Sequence, residues 1–182
     1  MPFNPPPQLK SSMFGRMPVG GPKPKGGAPA PAGPKGVRIE HRIGVQTPAE
    51  VIWDLVHDVA GWGRWNPLYP EAGGDLRIGG TLTMTLALPR MKPQAERAVV
   101  LDWVPNEQLH FRVTGLGGLL RETRYVEIEQ LAPESCIVST GVIVGGLLGT
   151  SVARQIGGRI HKGVRLMNEA LKEQAEARWR ER

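Results

Sequence analysis

The C-terminal part of the chain carries one apolar stripe at helical spacing. Its members follow one another at steps of four, four, four, three, four and four residues: Val152, Ile156, Ile160, Val164, Met167, Leu171 and Ala175. That spacing is the period of one face of an α-helix. We therefore predict a single helix over residues 149–179, and its apolar face must be buried against another layer of the fold.

The partner layer is predicted from the preceding residues, which alternate as β-strands do. In the clearest case, Leu82, Met84 and Leu86 alternate with three threonines, so one side of that strand is apolar and the other polar. Short breaks, most of them rich in Gly, Pro or Asn, separate the segments, which is typical of an antiparallel meander. The six predicted strands cover residues 75–78, 80–88, 93–104, 108–114, 120–131 and 135–144.

One more strand and two short helices are predicted before this block. Val37–Val45 alternates and gives the first strand. Thr47 is predicted to cap a short helix that ends near Val56, with Pro48 in its first turn. A second helical segment over residues 58–65 must end before Pro67, because the residue before a proline avoids helical geometry.

The first 36 residues differ in composition from the rest. They hold ten prolines, seven glycines, five basic residues and no acidic residue, so they bury too little apolar surface to offset the entropy of ordering. We predict a disordered basic tail over residues 1–36 and one folded domain over residues 37–182. Since the tail carries +5 of the net charge of +6, the domain has little basic excess, and no nucleic-acid partner is expected.

Length and composition exclude several other classes of protein. The chain has 182 residues and a single cysteine, which excludes a disulfide framework and a cysteine-based zinc site. No run of 18 apolar residues occurs, as a membrane-spanning helix would need. Because no secretory signal is visible either, a cytoplasmic location is expected.

The predicted elements and four sequence patterns together resemble the START/birch-pollen-allergen-like (SRPBCC) superfamily, in its polyketide cyclase/dehydrase and lipid-transfer branch. The patterns are TPAEVIW at residues 47–53, WGRWNP at 62–67, VGGLL at 144–148 and MNEALK at 167–172. The resemblance implies an α+β helix-grip fold. In that fold a seven-stranded curved antiparallel sheet wraps around the long C-terminal helix, two short helices follow the first strand, and a hydrophobic cavity lies inside.

Projecting the alternation onto that fold predicts the residues that would bind a ligand. They lie on the inward side of the sheet and on the apolar stripe of the helix, and Trp65 is expected to close one end of the cavity. The full set is Trp65, Met84, Leu86, Leu101, Trp103, Phe111, Arg124, Val126, Val142, Val144, Ile156, Ile160 and Val164. Gly157, Gly158 and Gly163 lie within the predicted helix. They either let the sheet pack closely or leave space for a ligand.

Arg124 is predicted to point inward, because it shares the parity of Val126. A buried guanidinium needs a partner, which is either a ligand carboxylate or phosphate, or a salt bridge to Glu96 or Glu122. Alternatively, the side chain extends to the rim of the cavity and keeps its charge in water. No catalytic residue, metal site or cofactor is predicted. Where relatives in the superfamily often show His and Glu on the last strand, this chain has Thr140 and Val142, which weakens any acid–base proposal.

The loops after the third, fifth and seventh strands are predicted to meet beside the start of the long helix. They carry apolar tips, namely Met91, Leu116, Leu119, Leu147 and Leu148, next to the basic Arg90, Lys92, Arg121 and Arg154. Such a surface suits peripheral contact with an anionic membrane. The alternative is that the leucines fold inward and cap the cavity.

Three hypotheses for function follow from these features. The first is binding, or transfer, of a hydrophobic small molecule such as a lipid or a polyketide-like compound. The second is a cyclase/dehydrase-like enzyme that folds a reactive chain by confinement, with Arg124 stabilising enolate charge. The third is an interaction adaptor that uses the N-terminal tail.

Overall fold

A computed structural model describes residues 35–182 of the chain. The predicted tail lies outside the described residues, apart from its last two positions. In chain order the structure contains β1 (Val37–Val45), α1 (Ala49–His57), a 3₁₀ helix (Val59–Arg64), β2 (Glu71–Gly74), β3 (Thr81–Leu86), β4 (Gln94–Val104), β5 (Gln108–Gly115), a 3₁₀ turn (Leu116–Gly118), β6 (Leu120–Ala132), β7 (Ser135–Gly145) and α2 (Gly149–Arg180).

The strands form one seven-stranded antiparallel sheet in the order β1-β7-β6-β5-β4-β3-β2. Strands β2 to β7 follow the predicted meander, and β1 closes the order by pairing with β7, from Val37 opposite Val144 to Val45 opposite Cys136. The apolar stripe of α2 is buried at Ile160, Val164 and beyond. The α+β helix-grip architecture expected from the sequence is confirmed.

The second strand differs from its prediction. The structure places β2 at Glu71–Gly74, where it pairs with β3 from Glu71 opposite Thr85 to Gly74 opposite Leu82. The predicted segment 75–78 instead forms the connecting turn, in which the Gly80 N–H donates to the Arg77 carbonyl. Alternation in the sequence favoured residues 75–78 as the strand, because they are more apolar than residues 71–74. The β2–β3 hairpin instead uses residues 75–78 to reverse the direction of the chain.

Thr47 is not the predicted helix cap. Helix α1 begins at Ala49, Pro48 precedes it as the capping residue, and the buried Thr47 hydroxyl has no hydrogen-bond partner within residues 35–182. Thr47 lies one residue too early for its hydroxyl to reach the free amides of the first turn.

A β-bulge in β4 changes which side chains point inward. The pairing with β5 shifts between Val100 and Asp102, so that Val100 lies opposite Phe111 and Trp103 lies opposite Leu109. An extra residue in one strand reverses the alternation beyond it. Val100 and Trp103 therefore both face the interior, whereas Leu101, the extra residue, does not belong to the apolar core.

Helix α2 packs on β1 and β7, at one edge of the sheet. A buried amide, Asn168, fixes this contact. The Thr140 hydroxyl donates to Asn168 Oδ1 at 2.6 Å, and Asn168 Nδ2 donates to the His41 carbonyl at 2.9 Å. Thr140 thus points toward the helix from the inward side of β7, where the sequence placed it.

Replacing Asn168 with alanine should destabilise the domain. The change leaves the buried Thr140 hydroxyl and the His41 carbonyl without their partner, which costs about 1–3 kcal/mol. Urea unfolding followed by circular dichroism measures this loss. The control is Glu173→Ala on the exposed side of the same helix, for which we expect a change within about 0.5 kcal/mol. Equal effects of the two changes would contradict the role given to Asn168.

Gly158 offers a stabilising change in the same helix. It is exposed, and a Cβ built on it meets no atom within 4 Å. Gly158→Ala should therefore raise the free energy of unfolding by about 0.5–1 kcal/mol, because alanine loses less backbone entropy in a helix. Thermal unfolding is the measurement, and a lowered midpoint would be inconsistent with the open environment of this residue.

Candidate ligand-binding cavity

A cavity of about 360 Å³ lies between α2 and the inward side of the sheet. Among the residues predicted to bind a ligand, those that line it are Leu86, Arg124, Val142, Ile156, Ile160 and Val164. Of the predicted tip residues, Met91 and Leu116 line it as well. The exposed members of the lining include Lys92, Gln94 and Leu116, which puts the opening at the loops after β3 and β5.

The other predicted residues do not line this cavity. Met84, Phe111, Val126 and Val144 belong to the buried apolar core, and Trp65 packs against it. Trp103 stacks on Trp53, with ring centroids 5.9 Å apart, in the aromatic group that includes His57 at the end of α1. Leu101 lies at the β4 bulge, and Leu119, Leu147 and Leu148 are exposed.

Leu68 and Tyr69 line the cavity although the sequence did not single them out. They follow the 3₁₀ helix and are held by Asn66, whose Oδ1 accepts from the Leu68 and Tyr69 amides at 3.0 and 3.2 Å. An Asn side chain that bonds to amides two and three residues later is a recognised turn-former. The Asn-Pro pair at residues 66–67 was the available signal for this turn.

Gly163 brings α2 close to this segment. A Cβ on Gly163 would lie 2.8 Å from Leu68 Cδ1 and 3.3 Å from Leu88 Cδ2. Of the two interpretations left open for the helix glycines, close packing therefore applies at Gly163. Gly158 instead faces open space.

The buried polar part of the cavity wall is a group of three charged residues, namely Arg124, Glu96 and Glu122. Arg124 Nη1 lies 2.6 Å from Glu96 Oε2, and Arg124 Nη2 lies 2.6 Å from Glu122 Oε2. Nη2 also donates to Glu96 Oε1 and Nε to Glu122 Oε2, both at 3.2 Å, while Nη1 reaches the Tyr69 hydroxyl at 3.4 Å. The side chains of Arg124, Glu122 and Glu96 are only 3, 13 and 15 % exposed. Both salt bridges weighed from the sequence are thus present.

Burial and charge together set the protonation of this group. Burial lowers the pKa of Arg124, but its interactions with Tyr69, Glu122 and Glu96 outweigh burial and hold that pKa well above its usual range. Burial raises the pKa of Tyr69, against the opposing effect of Arg124. At neutral pH the wall therefore presents a guanidinium and a protonated phenol.

The three predicted loops meet around the opening. The Leu148 N–H donates to the Leu119 carbonyl at 3.1 Å and joins the loop after β7 to the loop after β5. Arg90 (φ 61°) and Leu116 (φ 50°) have left-handed backbone, a conformation that costs side-chain-bearing residues about 1–2 kcal/mol. Leu147 is 86 % exposed and Leu116 63 %. Leu147 therefore points outward and does not cap the cavity, whereas Leu116 is exposed at the rim of the opening, where it lines the cavity.

Two properties of the described residues bear on other kinds of site. Within residues 35–182, no group of three or more His, Cys, Asp or Glu side chains is arranged to hold a metal ion. No helix in this part of the chain combines the length and the apolar character needed to cross a bilayer.

Solved structures with the same fold are numerous, and their sequences have diverged widely. The Zhui aromatase/cyclase from Streptomyces is 13 % identical with a TM-score of 0.63, over 78 % of this chain and 94 % of that one. A START superfamily protein from Mycobacterium smegmatis is 18 % identical with a TM-score of 0.56, over 79 % and 97 %. A norcoclaurine synthase from Thalictrum flavum is 14 % identical with a TM-score of 0.57, over 78 % and 95 %.

Comparison with curated proteins gives no match. The family described as polyketide cyclase/dehydrase and lipid transport matches residues 36–176, which span every strand and almost all of α2. The chain belongs to this polyketide cyclase/dehydrase and lipid transport family of the SRPBCC superfamily.

Proposed function

We propose that the domain binds a hydrophobic small molecule in the cavity between α2 and the sheet. The observation that carries this proposal is the cavity of about 360 Å³ with mainly apolar walls. Its size falls in the range of about 300–1,000 Å³ that small-molecule sites occupy. Well-packed protein interiors leave few voids larger than a water molecule, so packing alone gives no reason for this space.

The family and its neighbours support the same proposal. The family description includes lipid transport, and the Mycobacterium smegmatis neighbour is described as a START superfamily protein. The wall of the cavity combines apolar side chains with one compact polar group, the combination that gives a ligand site both affinity and orientation.

The cyclase-like alternative has weaker support. In that hypothesis Arg124 stabilises the negative charge of an enolate. Its N–H groups are already directed to Glu96, Glu122 and Tyr69, so an enolate oxygen would have to displace a carboxylate. The structural similarity to an aromatase/cyclase is the support for this alternative. Against it, Arg124 has no N–H group free to bind an enolate oxygen.

Filling the cavity should abolish ligand binding without unfolding the domain. Nile red, a neutral apolar dye whose fluorescence rises in apolar surroundings, serves as the probe. We expect saturable binding to the full chain and a loss of affinity of at least about tenfold in Ile156→Trp, because the indole would occupy space that the dye needs. A tenfold loss corresponds to about 1.4 kcal/mol.

The matched control is Val152→Trp, one turn earlier on α2. Val152 packs against the core without lining the cavity. The Val152→Trp variant should bind the dye as the unmodified chain does, provided that circular dichroism shows both variants folded. Equal binding by Ile156→Trp and the unmodified chain would remove the cavity as the binding site.

We also propose that the domain contacts anionic membranes through the loops around the opening. The contact surface consists of the exposed Leu116, Leu119, Leu147 and Leu148 together with Arg90, Lys92, Arg121 and Arg154. None of these four basic residues forms a salt bridge within residues 35–182. Each contributes about 1 kcal/mol near an anionic surface, and inserted leucines add apolar burial.

The double change Leu119→Asp with Leu147→Asp should abolish binding to vesicles rich in phosphatidylserine. It places two negative charges at the centre of the contact surface and removes two apolar side chains from it. Co-sedimentation with the vesicles is the measurement, and vesicles of phosphatidylcholine alone should bind weakly before and after the change.

A control with the same change in charge is available at the other end of the sheet. Ile78 and Leu131 are 66 and 58 % exposed, and they lie near the β2–β3 and β6–β7 turns. Ile78→Asp with Leu131→Asp should leave co-sedimentation nearly unchanged. If this pair weakens binding as much as the loop pair does, net charge rather than a defined surface governs the interaction.

A further inference from the structure

The guanidinium of Arg124 has no hydrogen-bond donor left for a ligand. An arginine side chain has five N–H groups. Here Nε makes one bond, to Glu122, while Nη1 bonds to Glu96 and Tyr69, and Nη2 bonds to Glu96 and Glu122. A ligand carboxylate or phosphate would therefore have to break an existing charge-assisted bond before it could pair with Arg124.

The same group carries an excess of negative charge. Two carboxylates surround one guanidinium in the cavity wall, which leaves a net charge of −1. The other charged residue of the lining, Lys92, is exposed on the loop after β3. Its charge is screened by water, whereas charges on buried groups act through a lower dielectric. An anion that enters the cavity meets a repulsive wall, and a cation meets an attractive one.

Acceptor capacity in this wall is also unused. Glu122 Oε2 accepts two bonds from Arg124, but Glu122 Oε1 accepts none from any residue in the described part of the chain. The buried Tyr69 hydroxyl accepts from Arg124, and its own proton has no acceptor within residues 35–182. Glu122 Oε1 can therefore accept a hydrogen bond from a polar group that a ligand brings, and the Tyr69 hydroxyl can donate one.

We propose that the cavity selects apolar molecules whose polar head is a cationic amine, and that it discriminates against the same skeleton with a carboxylate head. An ammonium group would donate to Glu122 and Glu96, and an oxygen elsewhere on the ligand head would accept from Tyr69. This inference rests on the proposed function, because it names the class of ligand for the same cavity.

Three probes with one apolar chain test this selection. Octylamine is protonated at neutral pH, octanol is neutral and octanoate is anionic, so the series changes the charge of the head on a constant chain. Isothermal titration of the full chain should show octylammonium binding at least about tenfold more tightly than octanoate, with octanol between them. Each measurement stays below the concentration at which the probe aggregates.

The variant Glu122→Gln removes one negative charge from the wall and keeps the size of the side chain. It should reduce the ratio of octylammonium to octanoate affinity by about tenfold. Glu134→Gln makes the same change in net charge on the exposed β6–β7 turn, and the ratio should stay as in the unmodified chain. If Glu122→Gln fails to fold, Glu96→Gln replaces it, since Glu96 is the second carboxylate on Arg124.

The outcomes separate the proposal of amine selection from the proposal that the cavity binds a hydrophobic small molecule. Octanoate binding as tightly as octylammonium would overturn the amine selection, while Nile red binding at the cavity would still support the proposed function. Equal loss of the ratio in Glu122→Gln and Glu134→Gln would also overturn it, since the selectivity would then arise from net charge. Absence of binding by Nile red and by all three octyl probes would remove both proposals.

Discussion

One helix is too narrow to cover the sheet on which it packs, and the rest of the structure depends on that mismatch. Seven strands about 4.8 Å apart make a sheet about 29 Å wide, whereas a helix with its side chains is about 10–12 Å across. Helix α2 packs on β1 and β7 and leaves the inward side of the remaining strands to be covered by other parts of the chain. Helix α1, the 3₁₀ helix and the segment with Leu68 and Tyr69 supply most of that cover. The cavity is the part that they leave open.

The sequence was sufficient to predict the elements and their order, because those depend on local patterns. The stripe of α2 and the alternation of β3 to β7 each extend over many residues, and their predicted ends agree with the structure to within about two residues. Strand β2 could not be placed in this way. Its four residues, Glu71–Gly74, include two glycines and no strand-forming pattern, and only pairing with β3 makes them a strand.

The cavity lining was predicted only in part, for a reason that lies in the packing. Alternation tells which residues point inward, but it does not tell which of them meet protein atoms and which meet empty space. Phe111 and Arg124 lie opposite each other on neighbouring strands, yet Phe111 is packed in the core and Arg124 lines the cavity. The β4 bulge added a second error at Leu101, since one extra residue moves a side chain off the inward face.

The loops around the opening and the buried wall of the cavity carry opposite charges, so the two proposals concern partners of opposite charge. The loops present basic side chains to the surroundings, while the wall around Arg124 carries an excess carboxylate. An anionic bilayer concentrates cationic amphiphiles by the same attraction that would hold the loops. Membrane contact and amine selection are therefore compatible, because a molecule enriched at that surface is one that the interior would favour.

The hydrogen bond from the Leu148 amide to the Leu119 carbonyl has a consequence for access to the interior. It ties the loop after β5 to the start of α2, so these two margins of the entrance move together or separate only by losing that bond. The margin formed by Pro89, Arg90 and Met91 is not included in this tie. The margin at residues 89–91 can therefore be displaced without losing that bond, whereas displacing the loop after β5 away from α2 breaks it.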